Sequence, residues 1–382
     1  MFEKEVHSTH VYHFHYIGVF LKFYARKTVA GLLGIEDRNV AQVADESGTV
    51  VKRSETGPKA RQYSLENVFD MAAFLRKKRL LNKLPMRVIT TNIPRGGTGK
   101  TLLATNLAVS FALMGIKTCL IDVDYQASAT MLMGYDPDVN REDALSRVDP
   151  DDEVGRKIAI EKAIDFHLGN LIGLNQSKVE SFDSVAKKPY GANGPTLIPS
   201  DVSLTSLDNQ LFVERMNRTD SDLTLRRWMH KCPEMQDFEV VIFDSGPGFN
   251  RVITSALAAS HMVIAPVGLE RVSDKGLRIL SGTLESLKES LPGVIAQMRI
   301  VANQMVNTKR TMQEFAHVVK QYPNIVFPVT IQRSEDIPKS YSGQSPESEL
   351  HPFMLEYPSS DVTKSLRDVS NIVFKELWKD PK

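Results

Sequence analysis

Beyond residue 86 the apolar positions fall into short β-branched runs, separated by segments where they recur every three or four residues. The runs at 87–92, 118–122, 240–244, 262–267, 299–302 and 326–331 predict strands, and the stretches between them predict crossover helices. This alternation predicts an α/β fold, a mostly parallel twisted sheet flanked by helices. Before residue 86 the rhythm differs. Residues 28–34 and 38–44 have helical spacing and are joined by a tight turn, the outline of a helix-turn-helix. Residues 49–61 read as a β-hairpin around Gly57-Pro58, and a further helix starts at Ser64 with Leu65, Val68, Met71 or Ala72, and Leu75 on one face. The basic run 76–85 ends in proline and predicts a hinge. Residues 136–193 are charged and irregular and are expected to be variable decoration.

Composition changes this picture little, but charge does. Of 382 residues, 42% are hydrophobic and 24% charged, as in ordinary globular proteins. The net charge of +1 conceals an asymmetry: residues 1–85 hold 14 Lys and Arg against 9 Asp and Glu, and the remainder 33 against 37. A basic start beside a mildly acidic body suits contact with nucleic acid. Two cysteines, Cys119 and Cys232, lack metal-ligand spacing and imply no disulfide framework, so a cytoplasmic protein is expected. No run reaches the ~18 apolar residues of a membrane span. The first 24 residues interleave His7, His10, His13 and His15 with Tyr12, Phe14 and Tyr16. No cysteine or nearby carboxylate completes a metal site there, and a loosely packed or disordered extension is expected.

The chemistry concentrates after the strand at 87–92. Arg95-Gly-Gly-Thr-Gly-Lys-Thr101 joins a β-branched run to a helix-patterned segment. Backbone N–H groups at Gly96, Gly97 and Gly99 can surround phosphate oxygens, Lys100 adds a cation, and the Thr101 hydroxyl suits Mg²⁺. Glycine is required five residues before Gly99 in the strict pattern, and Pro94 stands there. The 118–122 run delivers Asp122, followed by Asp124, to a strand's C-terminal edge, where ligands bind in open α/β sheets. The 240–244 run likewise ends in Asp244.

The glycine loop resembles the deviant Walker A box of the ParA/MinD-type ATPases. Asp122-Val-Asp-Tyr-Gln-Ala-Ser-Ala-Thr130 is similar to that family's second box, with Tyr125 in place of a proline, and Asp244-Ser-Gly-Pro to its Walker B. The resemblance covers about residues 86–380, and plasmid partition ParA is the subgroup most resembled. It implies a P-loop ATPase domain over 85–382. ATP would be bound by Gly96, Gly97, Thr98, Gly99, Lys100, Thr101 and Leu102, with Asn303 at the adenine. Mg²⁺ would be held by Thr101, Asp122 and Asp244, and the attacking water positioned by Asp124. Relatives carry a lysine at Arg95 that reaches the partner's phosphates in a nucleotide-sandwich homodimer; arginine keeps the charge with different reach. Residues 25–84 resemble a MerR-type winged helix, which implies operator binding and autorepression.

The function implied is DNA partition: an ATP-bound homodimer on non-specific DNA, released when a centromere-binding, ParB-like partner stimulates slow hydrolysis. Lys309, Arg310, Arg333 and Lys339 are candidate DNA contacts. Two other classes stay open at this stage. One is a nucleotide-responsive DNA-binding regulator with incidental turnover. The other is a MinD-like membrane positioner using the stripe Leu366, Val369, Ile372, Val373 and Leu377, although Asp368, Glu376 and Asp380 dilute its basic face and a packed terminal helix explains it better. Iron–sulfur electron transfer on this fold needs cluster cysteines, and Cys119 sits inside a strand.

Overall fold

The computed structural model describes residues 22–54, 59–79, 82–174, 178–217, 221–269, 274–342 and 350–378. The histidine-rich start, up to residue 21, lies outside them, as do the hairpin tip at 55–58 and residues 80–81 of the basic run.

Three short strands, β1 (Phe23–Tyr24), β2 (Lys52–Arg53) and β3 (Arg61–Ser64), pair antiparallel in the order β1-β3-β2. Helix Arg26–Leu33 stops at Gly34, whose φ of 63° lets its N–H reach the Ala30 carbonyl. A 3₁₀ turn at Asp37–Asn39 leads into helix Val40–Glu46. Helix Leu65–Lys78 opens on a capping box, in which the side chains of Ser64 and Asn67 each accept the other's backbone N–H.

Seven parallel strands form the main sheet: β4 (Arg87–Thr91), β5 (Thr118–Asp122), β6 (Thr196–Ile198), β7 (Val240–Asp244), β8 (Met262–Gly268), β9 (Gln297–Met305) and β10 (Val326–Gln332). Their order is β10-β9-β8-β4-β7-β5-β6. The strand order reverses at β4, with β5 on one side and β8 and β9 on the other. A ligand crevice is expected there, outside the strands' carboxyl ends. Register sets the chemistry level: Thr91 pairs with Asp244, and Asp244 with Asp122, across three adjacent strands. Helix Lys100–Leu113 runs from this crevice and is buried along nearly its whole length.

Several sequence expectations change in detail. The 136–193 stretch is built of short helices, Arg141–Ser146, Glu153–Lys162, Leu168–Ile172 and Phe182–Val185, with a small core of Val139, Ala144, Val148, Ala159 and Ala163. It also delivers Tyr190, whose ring stacks on Phe69 at 5.6 Å. The basic run is not wholly a solvated hinge. Arg76 lies within helix Leu65–Lys78 and is buried against Glu239. The C-terminal stripe packs inward: Leu366, Val369, Val373 and Leu377 of helix Asp361–Leu377 are buried in the core and Ile372 is half-buried against it. Among the described residues no helix is long and apolar enough to cross a membrane.

Candidate active site

The loop from β4 into helix Lys100–Leu113 takes its shape from glycine. Gly97 and Gly99 have φ of 68° and 90°, where side chains are strained. A Cβ on Gly96 or Gly97 would meet nothing within 4 Å, so the loop faces open space. Lys100 folds back, its Nζ donating to the Arg95 carbonyl at 2.9 Å. A cavity of about 350 Å³ lies over the loop. Residues 96–102, Asp124, Ser128, Pro247, Asn303, Gln304, Ile337, Pro338 and Tyr341 line it.

The carboxylates stand beneath and beside this cavity. Asp122 is fully buried. One of its oxygens accepts the Asp124 N–H at 3.1 Å, and the other accepts the Thr130 N–H and hydroxyl at 2.9 and 2.8 Å. Thr130 Oγ1 in turn accepts the Ser200 N–H at 2.9 Å, tying β5 to the end of β6. Asp244 Oδ1 accepts from the Thr91 hydroxyl at 3.2 Å. Its Oδ2 is buried and has no hydrogen-bond partner. Burial pushes the Asp122 carboxyl up to about 7 against the pull of its hydrogen bonds. Asp244 is raised too, by burial and then by Asp122, with the Thr101 hydroxyl and Lys100 opposing. Burial lowers Lys100, and Asp244 and Asp124 work the other way. Two carboxylates, Asp244 and Asp124, thus act on one buried ammonium, and Asp122 presses on Asp244 from behind.

That arrangement fits a nucleotide with a divalent cation. An acidic cluster short of positive charge, an unpartnered Asp244 oxygen, and buried unpartnered Thr98 Oγ1 and Asn303 Oδ1 all await donors or a cation. Among the described residues no group of three or more His, Cys, Asp and Glu is spaced to hold a metal alone. Mg²⁺ needs no such cage, since it keeps waters and leans on one or two carboxylates plus phosphate oxygens.

The structure brings Gly96 to Leu102, Asp124 and Asn303 to one cavity, with Asp122 and Asp244 buried below it. Arg95 is exposed and outside the lining, and its carbonyl accepts from Lys100 Nζ. Sequence reasoning missed Gln304, whose Nε2 donates to the Gly97 carbonyl at 3.0 Å from a backbone with φ of 56°. Beside it the Asn303 Nδ2 donates to the Thr98 carbonyl at 2.7 Å. Ile337, Pro338 and Tyr341 were missed as well. Of the candidate DNA cations, Lys309 and Arg310 are exposed at the start of helix Lys309–Gln321, Arg333 is exposed after β10, and Lys339 pairs with Asp336 at 2.9 Å.

The family model described as an AAA domain (AAA_31) matches residues 86–297, more than half of the chain, including the glycine loop and Asp122, Asp124 and Asp244. The chain belongs to the ParA/MinD ATPase superfamily. A superfamily relative, the cell division protein PomZ of Myxococcus xanthus, is 25% identical over 360 residues, covering 93% of each chain. Among solved structures, one titled a partition protein superposes with a TM-score of 0.58 at 17% identity, covering 94% of this chain and 92% of that one. Cobyrinic acid a,c-diamide synthase from Mycobacterium smegmatis, solved with ADP and magnesium, gives a TM-score of 0.57 at 17% identity, covering 76% and 95%. These structural likenesses speak to the fold.

Proposed function

We propose that this chain is a DNA partition ATPase. The observation that carries the proposal is the buried Lys100 set against Asp244 and Asp124, with Asp122 beside Asp244, at the strand-order reversal in a member of the ParA/MinD superfamily. Residues 96–102 hold the phosphates of ATP through backbone N–H groups, Lys100 and the helix start. Thr101, Asp122 and Asp244 hold Mg²⁺, and Asn303 meets the base. When bound, Mg²⁺ supplies charge neutralisation between the phosphate oxygens. Asp124, at the cavity wall, accepts a hydrogen bond from the attacking water and holds it in line. Arg95 reaches the phosphates of a second subunit closing face to face. The ATP-bound homodimer binds DNA non-specifically, and a ParB-like centromere-binding protein stimulates slow hydrolysis and release. The unit at 25–84 adds operator binding and autorepression. The protein works in the cytoplasm, on the nucleoid when ATP-bound.

The test is binding of the full chain to random duplex DNA with no nucleotide, ADP, ATP or a non-hydrolysable ATP analogue, at two salt concentrations. Salt-sensitive binding that needs ATP and is lost in Lys100→Ala supports partition. Binding indifferent to nucleotide sinks it. A second reading, a nucleotide-responsive regulator, is favoured by one observation: the N-terminal helix Leu65–Lys78 shares a core with the phosphate-loop helix. Turnover that no partner protein raises would select it.

A further inference from the structure

The segment that joins β7 to helix Arg251–Ala259 runs past the nucleotide cavity, where Pro247 forms part of the lining. It is tied down at few points. Among the described residues no backbone N–H or carbonyl of Ser245 to Phe249 pairs with other backbone. The two ends are firm. Asp244 lies in β7, and its carbonyl accepts the Val123 N–H at 2.9 Å. Asn250 caps the helix, accepting the Ile253 N–H at 2.8 Å, and Asp208 accepts the Arg251 N–H at 2.6 Å. Next to it Phe249 packs half-buried against an apolar cluster.

Asn92 holds the stretch in between. It is fully buried, and its backbone N–H donates to the Ile264 carbonyl of β8 at 3.1 Å, which fixes it to the sheet. Its Nδ2 donates to Ser245 Oγ at 2.8 Å and lies 3.5 Å from the Gly248 carbonyl. The Ser245 hydroxyl spends its one proton on the Thr91 carbonyl at 2.7 Å, so it must accept from Asn92. Asn92 Oδ1 is buried with no hydrogen-bond partner, a cost that packing alone gives no reason to keep. Between the two tethered residues, Gly246 meets Asp124. A Cβ built on Gly246 would stand 3.0 Å from Asp124 Cγ and Oδ1 and 3.1 Å from Oδ2. The Asp124 carboxylate, whose Oδ1 also accepts the Gln126 N–H at 3.0 Å, thus rests against the Gly246 backbone.

We infer that Asn92 is a positioning residue for hydrolysis: through Ser245 it holds Gly246 against Asp124, and so keeps that carboxylate aimed at the water it orders. The inference rests on the proposal that Asp124 positions the attacking water. Asn92 is not part of the cavity lining, so its loss reaches the chemistry through the segment. Such a loss should slow the chemical step and leave nucleotide binding nearly intact.

The experiment is single-turnover hydrolysis by the full chain loaded with ATP and Mg²⁺, which separates chemistry from product release. Affinity for a fluorescent non-hydrolysable ATP analogue is titrated alongside. Asn92→Ala, Ser245→Ala, the double variant and Asp124→Ala are compared with wild type, and thermal unfolding confirms that each folds. Asn92→Ala should hydrolyse about tenfold more slowly, the scale of one buried hydrogen bond, with affinity within about twofold. Ser245→Ala should match it, and carries the same expectation alone should Asn92→Ala not fold. The double variant should be no slower than the slower single one, because the two side chains act as one tether. A wild-type rate in the single variants, losses that multiply in the double variant, or a drop in affinity as large as the drop in rate each overturn the inference. If the wild-type chain does not hydrolyse ATP, or Asp124→Ala does so at the wild-type rate, the reading of Asp124 falls, and this inference with it.

Discussion

Gly99 shows how little freedom single residues have at the phosphate loop. A Cβ there would stand 2.2 Å from Asn303 Nδ2, on a backbone with φ of 90°. Gly99→Ala should therefore cost roughly 1–3 kcal/mol of strain and displace the Asn303 clamp from the Thr98 carbonyl. Nucleotide affinity, read by fluorescent-analogue titration, should drop at least tenfold; unchanged affinity would show that the clamp does not shape the loop. Gln304→Ala tests the second arm, which holds only the Gly97 carbonyl. Losing one hydrogen bond of about 1 kcal/mol should weaken binding severalfold, with little change in turnover at saturation. The loop and its carboxylates were legible because their residue types sit in contiguous order along the chain. Gln304 and Tyr341 were not, because they sit after β9 and β10, outside any motif, and reach the loop only once those strands have joined the sheet.

Strands and long helices were legible for the same reason that they are stable: each carries its own periodic apolar pattern. The short helices between 141 and 185 carry almost none, since each is ten residues or fewer and a 3.6-residue period barely repeats within it. Arg76 is a sharper case. By sequence it belongs to a basic run, yet helix Leu65–Lys78 carries it inward, where it binds Glu239 through both arms and donates to the Gly115 carbonyl at 3.0 Å. Glu239 also accepts the Leu84 and Lys117 N–H groups, at 2.5 and 3.0 Å. Burial pushes the Glu239 carboxyl up, but Arg76 and these amides outweigh it and hold it below its usual range. A carboxyl lowered in the folded state stabilises above its unfolded value and loses that contribution as pH falls through the folded one. Arg76→Met should cost about 3–5 kcal/mol near neutral pH, because it leaves a buried carboxylate without its cation. The gap from wild type in denaturant melts should narrow below about pH 4.5. A gap constant with pH would mean that Arg76 acts through packing alone.

The whole molecule is knit through that helix. Leu65–Lys78 lies on helix Lys100–Leu113, which starts at the phosphate loop, and one apolar core runs from Val29 and Phe69 through Leu107 and Phe111 to Leu366 and Val373. Polar ties cross the same boundary. The Tyr24 hydroxyl donates to the Leu355 carbonyl at 2.6 Å, Arg367 to the Gly31 carbonyl at 2.6 Å, and Asn193 to Asp70 at 2.9 Å. Composition marked a change of character near residue 85 but carried no sign of these ties, which join residues up to 336 positions apart. A tethered module would come away cleanly. Removing residues 1–84 from this chain instead uncovers the outer face of the phosphate-loop helix and leaves Glu239 without Arg76. The remaining 85–382 fragment should melt well below the full chain and bind nucleotide more weakly, with thermal unfolding and analogue titration as readouts. A fragment that matches the full chain in both would show that the two parts merely touch. Loss in both would mean that anything bound at the N-terminal unit bears on the same helix that carries Lys100, a physical route between DNA and nucleotide that needs no hinge.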